Sequence, residues 1–174
     1  MIKLQRWLVS VVGGLMLMGA TTLHANNDDD EDNAFRFTST LTGAQETGTV
    51  DSNAGGFVSA RFDQGLTKVD VKLRLRGINS MVVAAHFHCA RAGVNGPVAF
   101  GLMQPGPLTE IGERARVTLT NENFSGADCT ALVGRPVSNI AALYFAMRDG
   151  LIYLNVHTPD FPGGEVRGQM IAHD

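Results

Sequence analysis

Three histidines are the side chains in this sequence best suited to chemistry. His86 and His88 are separated by one residue within an apolar stretch of strand character, and His157 ends a second such stretch. At a strand period of two, the first pair projects from one face with Cα atoms about 6.5–7 Å apart. Imidazole nitrogen suits copper, zinc, iron and nickel, and three such ligands leave a coordination position open for water or substrate. The pattern predicts a metal site, with copper as the expected ion.

Polar residues near His157 are candidates to support such a site. Asn155, Glu165 and Gln169 are expected to orient the rings as a second layer of contacts, and Arg167 is a candidate guide for a small anion.

A structural interpretation of the same histidines stays open. In it, His86 and His88 hydrogen-bond backbone groups and Glu165, and His157 holds a turn in place. No catalytic residue is assigned on either interpretation, because no serine lies in a Gly-x-Ser-x-Gly setting and no phosphate-binding glycine loop is present.

The two cysteines, Cys89 and Cys129, predict a disulfide. An even pair in a small exported domain is usually oxidised. Closing a loop of about 40 residues would add roughly 3–4 kcal/mol of stability. Ligation of a metal by a cysteine thiolate is the alternative, since Cys89 adjoins His88.

The elements that must position these residues are mostly strands. Residues 68–76 alternate apolar and charged side chains, as expected of a strand with one wet face. Residues 81–88 and 151–157 are apolar at nearly every position, which predicts central strands covered on both faces. One short helix is expected between Ser138, its proposed cap, and Gly150. Seven or eight strands predict an all-β fold, a two-sheet antiparallel β-sandwich or barrel.

Charge and hydropathy divide the chain into three parts. Residues 1–25 have a basic start and an apolar run of about 14 residues, shorter than the ~20 of a spanning helix, and are interpreted as a signal peptide rather than an anchor. The acidic residues 26–34 are interpreted as a disordered spacer rather than a calcium site. Residues 35–174 form the domain, and the mature protein is expected in the periplasm or secreted, with no membrane span.

The domain itself carries 12 basic and 12 acidic residues. A neutral domain lacks the basic footprint of nucleic-acid binding proteins, so nucleic acid is not an expected partner. A protein of the envelope or the extracellular space remains a possible partner.

Two blocks of sequence resemble the CHRD (chordin-type) domain family, in the form of a bacterial exported member. The first runs from Phe37 to Glu46 and continues in residues 84–88 and 93–98, and the second comprises residues 150–159 and 163–169. The resemblance covers about residues 35 to 172, and it implies a β-sandwich or barrel and an extracytoplasmic location. It carries no single chemistry across.

The histidine pattern also resembles copper–zinc superoxide dismutase, whose β-sandwich has a His-x-His strand pair and a stapling disulfide. No histidine lies between His88 and His157, so the resemblance extends to a copper site alone. Two functions follow. One is a copper-binding exported protein, which as an enzyme would be a copper-dependent oxidoreductase of the superoxide dismutase kind. The other is a non-catalytic interaction module with structural histidines. The sequence leaves enzymatic activity open.

Overall fold

The computed structural model describes residues 35–103 and 106–173. The signal peptide and acidic spacer predicted at residues 1–25 and 26–34 lie outside these ranges. Within the described ranges, no helix has the length and hydropathy to cross a membrane.

Nine strands form one antiparallel sheet, in the order β5-β4-β7-β8-β1-β2-β3-β6, with β9 also paired to β1. They are β1 (Arg36–Thr42), β2 (Gly55–Phe62), β3 (Val69–Arg76), β4 (Ala84–Cys89), β5 (Val98–Met103), β6 (Arg114–Leu119), β7 (Ile152–His157), β8 (Val166–Gln169) and β9 (Ile171–Ala172).

The predicted all-β class is confirmed, and the sheet curls into a nearly closed barrel. A pairing between Thr42 of β1 and Arg167 of β8 joins the two halves of the sheet, so the strands are continuous rather than split into two separate sheets. The edge strands β5 and β6 contact each other where the barrel nearly closes.

Two helices follow β6: α1 (Thr130–Val133), which was not predicted, and the expected α2 (Ile140–Arg148). The cap of α2 is Asn139, not Ser138, because the Asn139 side chain accepts a hydrogen bond of 2.8 Å from the Ala142 backbone N–H. On the buried side of α2, Tyr144 packs edge-on against Phe37 and Phe62 of the core.

The alternation predicted for residues 68–76 is present in β3, where every second residue from Val69 to Leu75 is buried and the charged residues between them are exposed. The central strands β4 and β7 are buried at nearly every position, also as predicted. Their two faces differ, because Phe87 and Leu154 join the apolar core while His86 and Asn155 point to the opposite face.

The two cysteines form the predicted disulfide, with Cα atoms 5.7 Å apart. The bond joins the end of β4 to the residue before α1, and both cysteines are fully buried. Since both sulfurs are in the bond, thiolate ligation by Cys89 is excluded in this state.

Candidate metal centre

The pairing of β4 with β7 places the three histidines on one face of the sheet. Ala84 lies opposite His157, His86 opposite Asn155, and His88 opposite Tyr153. Because side chains alternate between faces along a strand, all residues in these three pairs share a face. The register therefore brings His157 beside a pair of histidines about 70 positions earlier in the chain.

The three rings form a compact group. Ring centroids lie 5.5 Å apart for His86 and His88, 5.2 Å for His86 and His157, and 6.1 Å for His88 and His157. One ligand atom from each side chain lies within 4.8 Å of the others. His86, His88 and His157 are thus a group of described residues that could hold a metal ion.

Backbone carbonyl groups orient two of these rings. Nδ1 of His88 lies 3.0 Å from the Gly96 carbonyl oxygen, and Nδ1 of His157 lies 3.0 Å from that of Pro162. A carbonyl oxygen only accepts, so in each ring the hydrogen is on Nδ1 and the lone pair of the neutral ring is on Nε2. The structural interpretation is therefore correct for one nitrogen of each ring.

The other nitrogen of each of these rings is left for a ligand. Nε2 of His88 and Nε2 of His157 are buried, and no described residue makes a hydrogen bond to either. Buried polar atoms without a partner are uncommon in folded proteins. An imidazole with Nδ1–H on a carbonyl and Nε2 directed elsewhere is the arrangement that metal-binding histidines usually adopt. Nδ1 of His86 is buried in the same group.

The site favours neutral imidazole. Burial lowers the pKa of His88 to about 4, an effect only partly offset by the hydrogen bond to Gly96, and the nearby His86, His157 and Arg167 lower it further. Burial likewise lowers the pKa of His157, with the Pro162 carbonyl opposing the change. Neutral rings keep the lone pairs that a metal requires.

The three ligand nitrogens could bind one metal ion after their side chains rotate closer together. A metal with bonds of about 2.0–2.1 Å holds the nitrogen ligands of a tetrahedral or trigonal site about 3.3–3.6 Å apart. The three ligand atoms, which lie within 4.8 Å of one another, therefore need to approach by up to about 1.5 Å. Side-chain rotation of that size leaves the strand register intact.

The three residues predicted to orient the rings, Asn155, Glu165 and Gln169, make hydrogen bonds to groups other than the histidine rings. Asn155 Nδ2 donates to Glu46 Oε1 at 2.9 Å, and Gln169 donates to the carbonyls of Ala90 and Gly150. The Glu165 carboxylate accepts from Ser52 and Thr158, which follows His157. These contacts stabilise the strands and loops around the site, whereas Gly96 and Pro162 orient the rings directly.

Arg167 is fully enclosed. Its guanidinium donates to the Asn95 side chain at 2.9 Å and the Val94 carbonyl at 2.6 Å, and lies 3.4 Å from the centre of the Tyr153 ring. Arg167 is 2% exposed and borders a depression of about 270 Å³ together with Glu46 and Gln169, and its role as a guide for a small anion stays a prediction.

Sequence reasoning missed Tyr153 and Glu46. The Tyr153 ring stacks on His88, with centroids 4.8 Å apart and an interplanar angle of 8°. Its position four residues before His157 places it on the same strand face, a signal the sequence contains. Burial raises the pKa of Glu46 to about 7, against the opposing effects of Arg167 and Asn155. No sequence pattern connects Glu46 to the site, because Glu46 follows β1 and lies 109 positions from its partner Asn155 in the chain.

Comparisons with curated proteins and with solved structures find no significant match. Residues 37–170, most of the described chain, match the CHRD domain. This agrees with the sequence blocks identified above, with the barrel and with the disulfide of an extracellular-type module. The chain belongs to the CHRD domain family.

Proposed function

We propose that this chain is an exported CHRD-domain protein that binds one metal ion through His86, His88 and His157. The observation that carries the proposal is the pair of buried Nε2 atoms on His88 and His157, held beside a third ring and lacking hydrogen bonds. Their Nδ1 atoms are already bonded to carbonyl groups, so the rings are oriented before any ion arrives. Such preorganisation reduces the entropic cost of binding.

Copper is the proposed ion. Divalent copper binds nitrogen sites more tightly than the other first-row metals, and all three ligands here are imidazoles. The described residues within the group include no carboxylate that would favour magnesium, calcium or manganese.

A redox activity on superoxide extends this proposal. Three ligands leave a coordination position open, and bound copper would supply one-electron chemistry there. The chain's own part is to hold the three rings and limit access. His86 and His88 are nearly enclosed and His157 is partly exposed, so a small molecule would enter beside His157.

Export is proposed from the basic and apolar start of the chain, interpreted as a signal peptide over residues 1–25. The Cys89–Cys129 disulfide supports an oxidising compartment, either the periplasm or the medium.

The second candidate is a non-catalytic interaction module in which the histidines are structural. The carbonyl bonds of His88 and His157 favour it, because each ring already has one partner in the fold. The two candidates differ in whether the Nε2 atoms ever bind a ligand.

Copper loading separates the candidates. The mature chain is loaded with copper(II), dialysed, and measured for metal content and by electron spin resonance. We expect about one retained ion with hyperfine splitting from several nitrogens, lost in the double variant His86→Gln/His88→Gln. His173→Gln, which removes an exposed histidine outside the group, should retain the ion and its spectrum. Retention of the same spectrum by the double variant would exclude this site.

The redox activity needs its own assay. Superoxide consumption should depend on copper and be absent with zinc in the same site, since zinc does not change oxidation state. Equal rates with both ions would exclude the activity while leaving the metal site intact.

A further inference from the structure

The outward surface of β3 and β6 carries five basic side chains, which we call the basic face: Lys72, Arg74 and Arg76 of β3, and Arg114 and Arg116 of β6. All five are exposed. They share a face because both strands alternate, with Val71 and Leu73 of β3 directed into the core.

The register sets like charges directly opposite each other. Lys72 pairs with Arg116, and Arg74 pairs with Arg114. Like charges in direct cross-strand pairs destabilise a sheet. Among the described residues, no acidic side chain lies within ion-pair distance of the basic face. The fold therefore carries an electrostatic cost that a bound anion would relieve.

Acidic residues are distributed differently. Within the described ranges, Asp70 is the only acidic residue on a strand, and its carboxylate accepts a hydrogen bond of 2.5 Å from Thr118 Oγ1. The other acidic residues of these ranges lie outside the strands, and two of them, Glu110 and Glu113, border a cavity together with Arg76 at one end of the basic face. Although the net charge of the domain is zero, the surface of β3 and β6 is therefore strongly positive.

The basic face also has a shape that can receive a ligand. A shallow depression of about 310 Å³ lies between β3 and β6, bordered by Lys72 and Arg116 on one side and Asp70 and Thr118 on the other. Basic side chains repeat about every 6.8 Å along β3, and the strands are about 4.8 Å apart. A linear ligand with regularly repeated anionic groups can therefore contact several of these basic side chains at once.

We propose that the basic face binds a linear anionic polysaccharide carrying sulfate or carboxylate groups. Arginine is the cation best suited to planar, two-point contacts with such oxygens. Single-stranded nucleic acid is disfavoured, because it is held by several stacked aromatic rings and the neighbouring strand offers only Phe57, 45% exposed. The disulfide, which indicates an extracytoplasmic setting, agrees with a carbohydrate partner.

Protection of a sheet edge explains only part of this surface. Charges on an edge strand oppose aggregation, and β6 is an edge. However, Lys72, Arg74 and Arg76 belong to β3, which is paired on both sides and needs no such protection.

Binding to heparin, used as a sulfated polysaccharide probe, tests the proposal. Dissociation constants are measured for the mature chain over a range of salt concentrations. The variant Arg74→Gln/Arg116→Gln is compared with Arg91→Gln/Arg148→Gln, which loses the same charge at two exposed positions outside the basic face. We expect the first variant to bind about tenfold more weakly at 100 mM salt, with a salt slope smaller by about two. The control should change less than about twofold.

Three outcomes would overturn the proposal: no heparin binding by the parent chain at 100 mM salt, equal weakening in both variants, or tighter binding of single-stranded DNA than of heparin. Circular dichroism of each variant confirms that the fold is retained. Metal content plays no part in the assay, so its result is independent of the histidine site.

Discussion

At the scale of single residues, the candidate site depends on which nitrogen of each imidazole is occupied by the fold. The carbonyls of Gly96 and Pro162 accept the Nδ1–H of His88 and His157, so the lone pair of each ring is on Nε2, on the covered outer face of β4 and β7. Tyr153 keeps the His88 ring in place by stacking, and Arg167 covers the other side of Tyr153. A sequence shows the ring types but not these contacts, because each one crosses between strands or loops.

Two residues with shifted pKa values should give opposing effects of pH on stability. The pKa of His88 is lowered from 6.5 to about 4, so the unfolded chain binds the extra proton and stability falls as pH decreases over that interval. The pKa of Glu46 is raised from 4.5 to about 7, so the folded chain holds the proton and stability falls as pH increases over that interval.

Replacing Glu46 with Gln should remove the second effect. Between pH 4.5 and pH 7, the free energy of unfolding of this variant should therefore increase with pH more steeply than that of the parent chain. Urea denaturation in the presence of a chelator measures the difference. Glu122→Gln, at an exposed position, is the control, and its free energy of unfolding should change with pH in parallel with that of the parent chain. Parallel curves for Glu46→Gln would contradict the burial of its carboxyl group.

At the scale of elements, the strand and helix signals in the sequence were largely correct. The alternation in β3 and the continuous apolar runs in β4 and β7 are local patterns, and the structure follows them. The N-terminal cap of α2 is Asn139, one position after the predicted Ser138. Both are good capping residues, and local sequence does not decide between them. The short α1 lacks the periodic pattern of a longer helix.

The cap of α2 provides a direct test at this scale. Asn139→Ala should lower the free energy of unfolding by about 1 kcal/mol, because the first turn loses its side-chain acceptor. Ser138→Ala should change it by less than about 0.5 kcal/mol, as an exposed position without that bond. Thermal and urea unfolding of the two variants measure both values, and a larger loss from Ser138→Ala would reverse the assignment.

At the scale of the whole molecule, one sheet separates three environments. Its inner face builds the apolar core, the outer face of β4 and β7 is covered and holds the histidines, and the outer face of β3 and β6 carries exposed positive charge. The three-histidine group, the candidate metal site, and the basic face thus lie on different parts of the barrel wall. The proposed functions can be removed separately by substitution.

The disulfide stabilises this arrangement as a whole. It closes a loop with a sequence separation of 40 residues that includes β5 and β6. Replacing Cys89 and Cys129 together with Ala should lower the free energy of unfolding by about 3–4 kcal/mol, mainly by loosening the unfolded chain. Urea unfolding of the oxidised parent and the double variant measures this loss.

A reducing agent provides the control for that measurement. It should bring the parent close to the double variant and leave the double variant itself unchanged. A parent whose unfolding midpoint equals that of the variant under oxidising conditions would contradict the predicted contribution.

The sequence by itself determined the strand pattern, the pairing of its only two cysteines, the common face of His86 and His88, and the family. Each of these depends on residue types or on spacing within a few positions. The tertiary structure alone decided that His157 joins the other two histidines, that Tyr153 and Arg167 stack behind His88, and that β3 and β6 set like charges opposite each other. These features depend on the register between strands distant in the chain, which is set by packing of the whole barrel rather than by any local pattern.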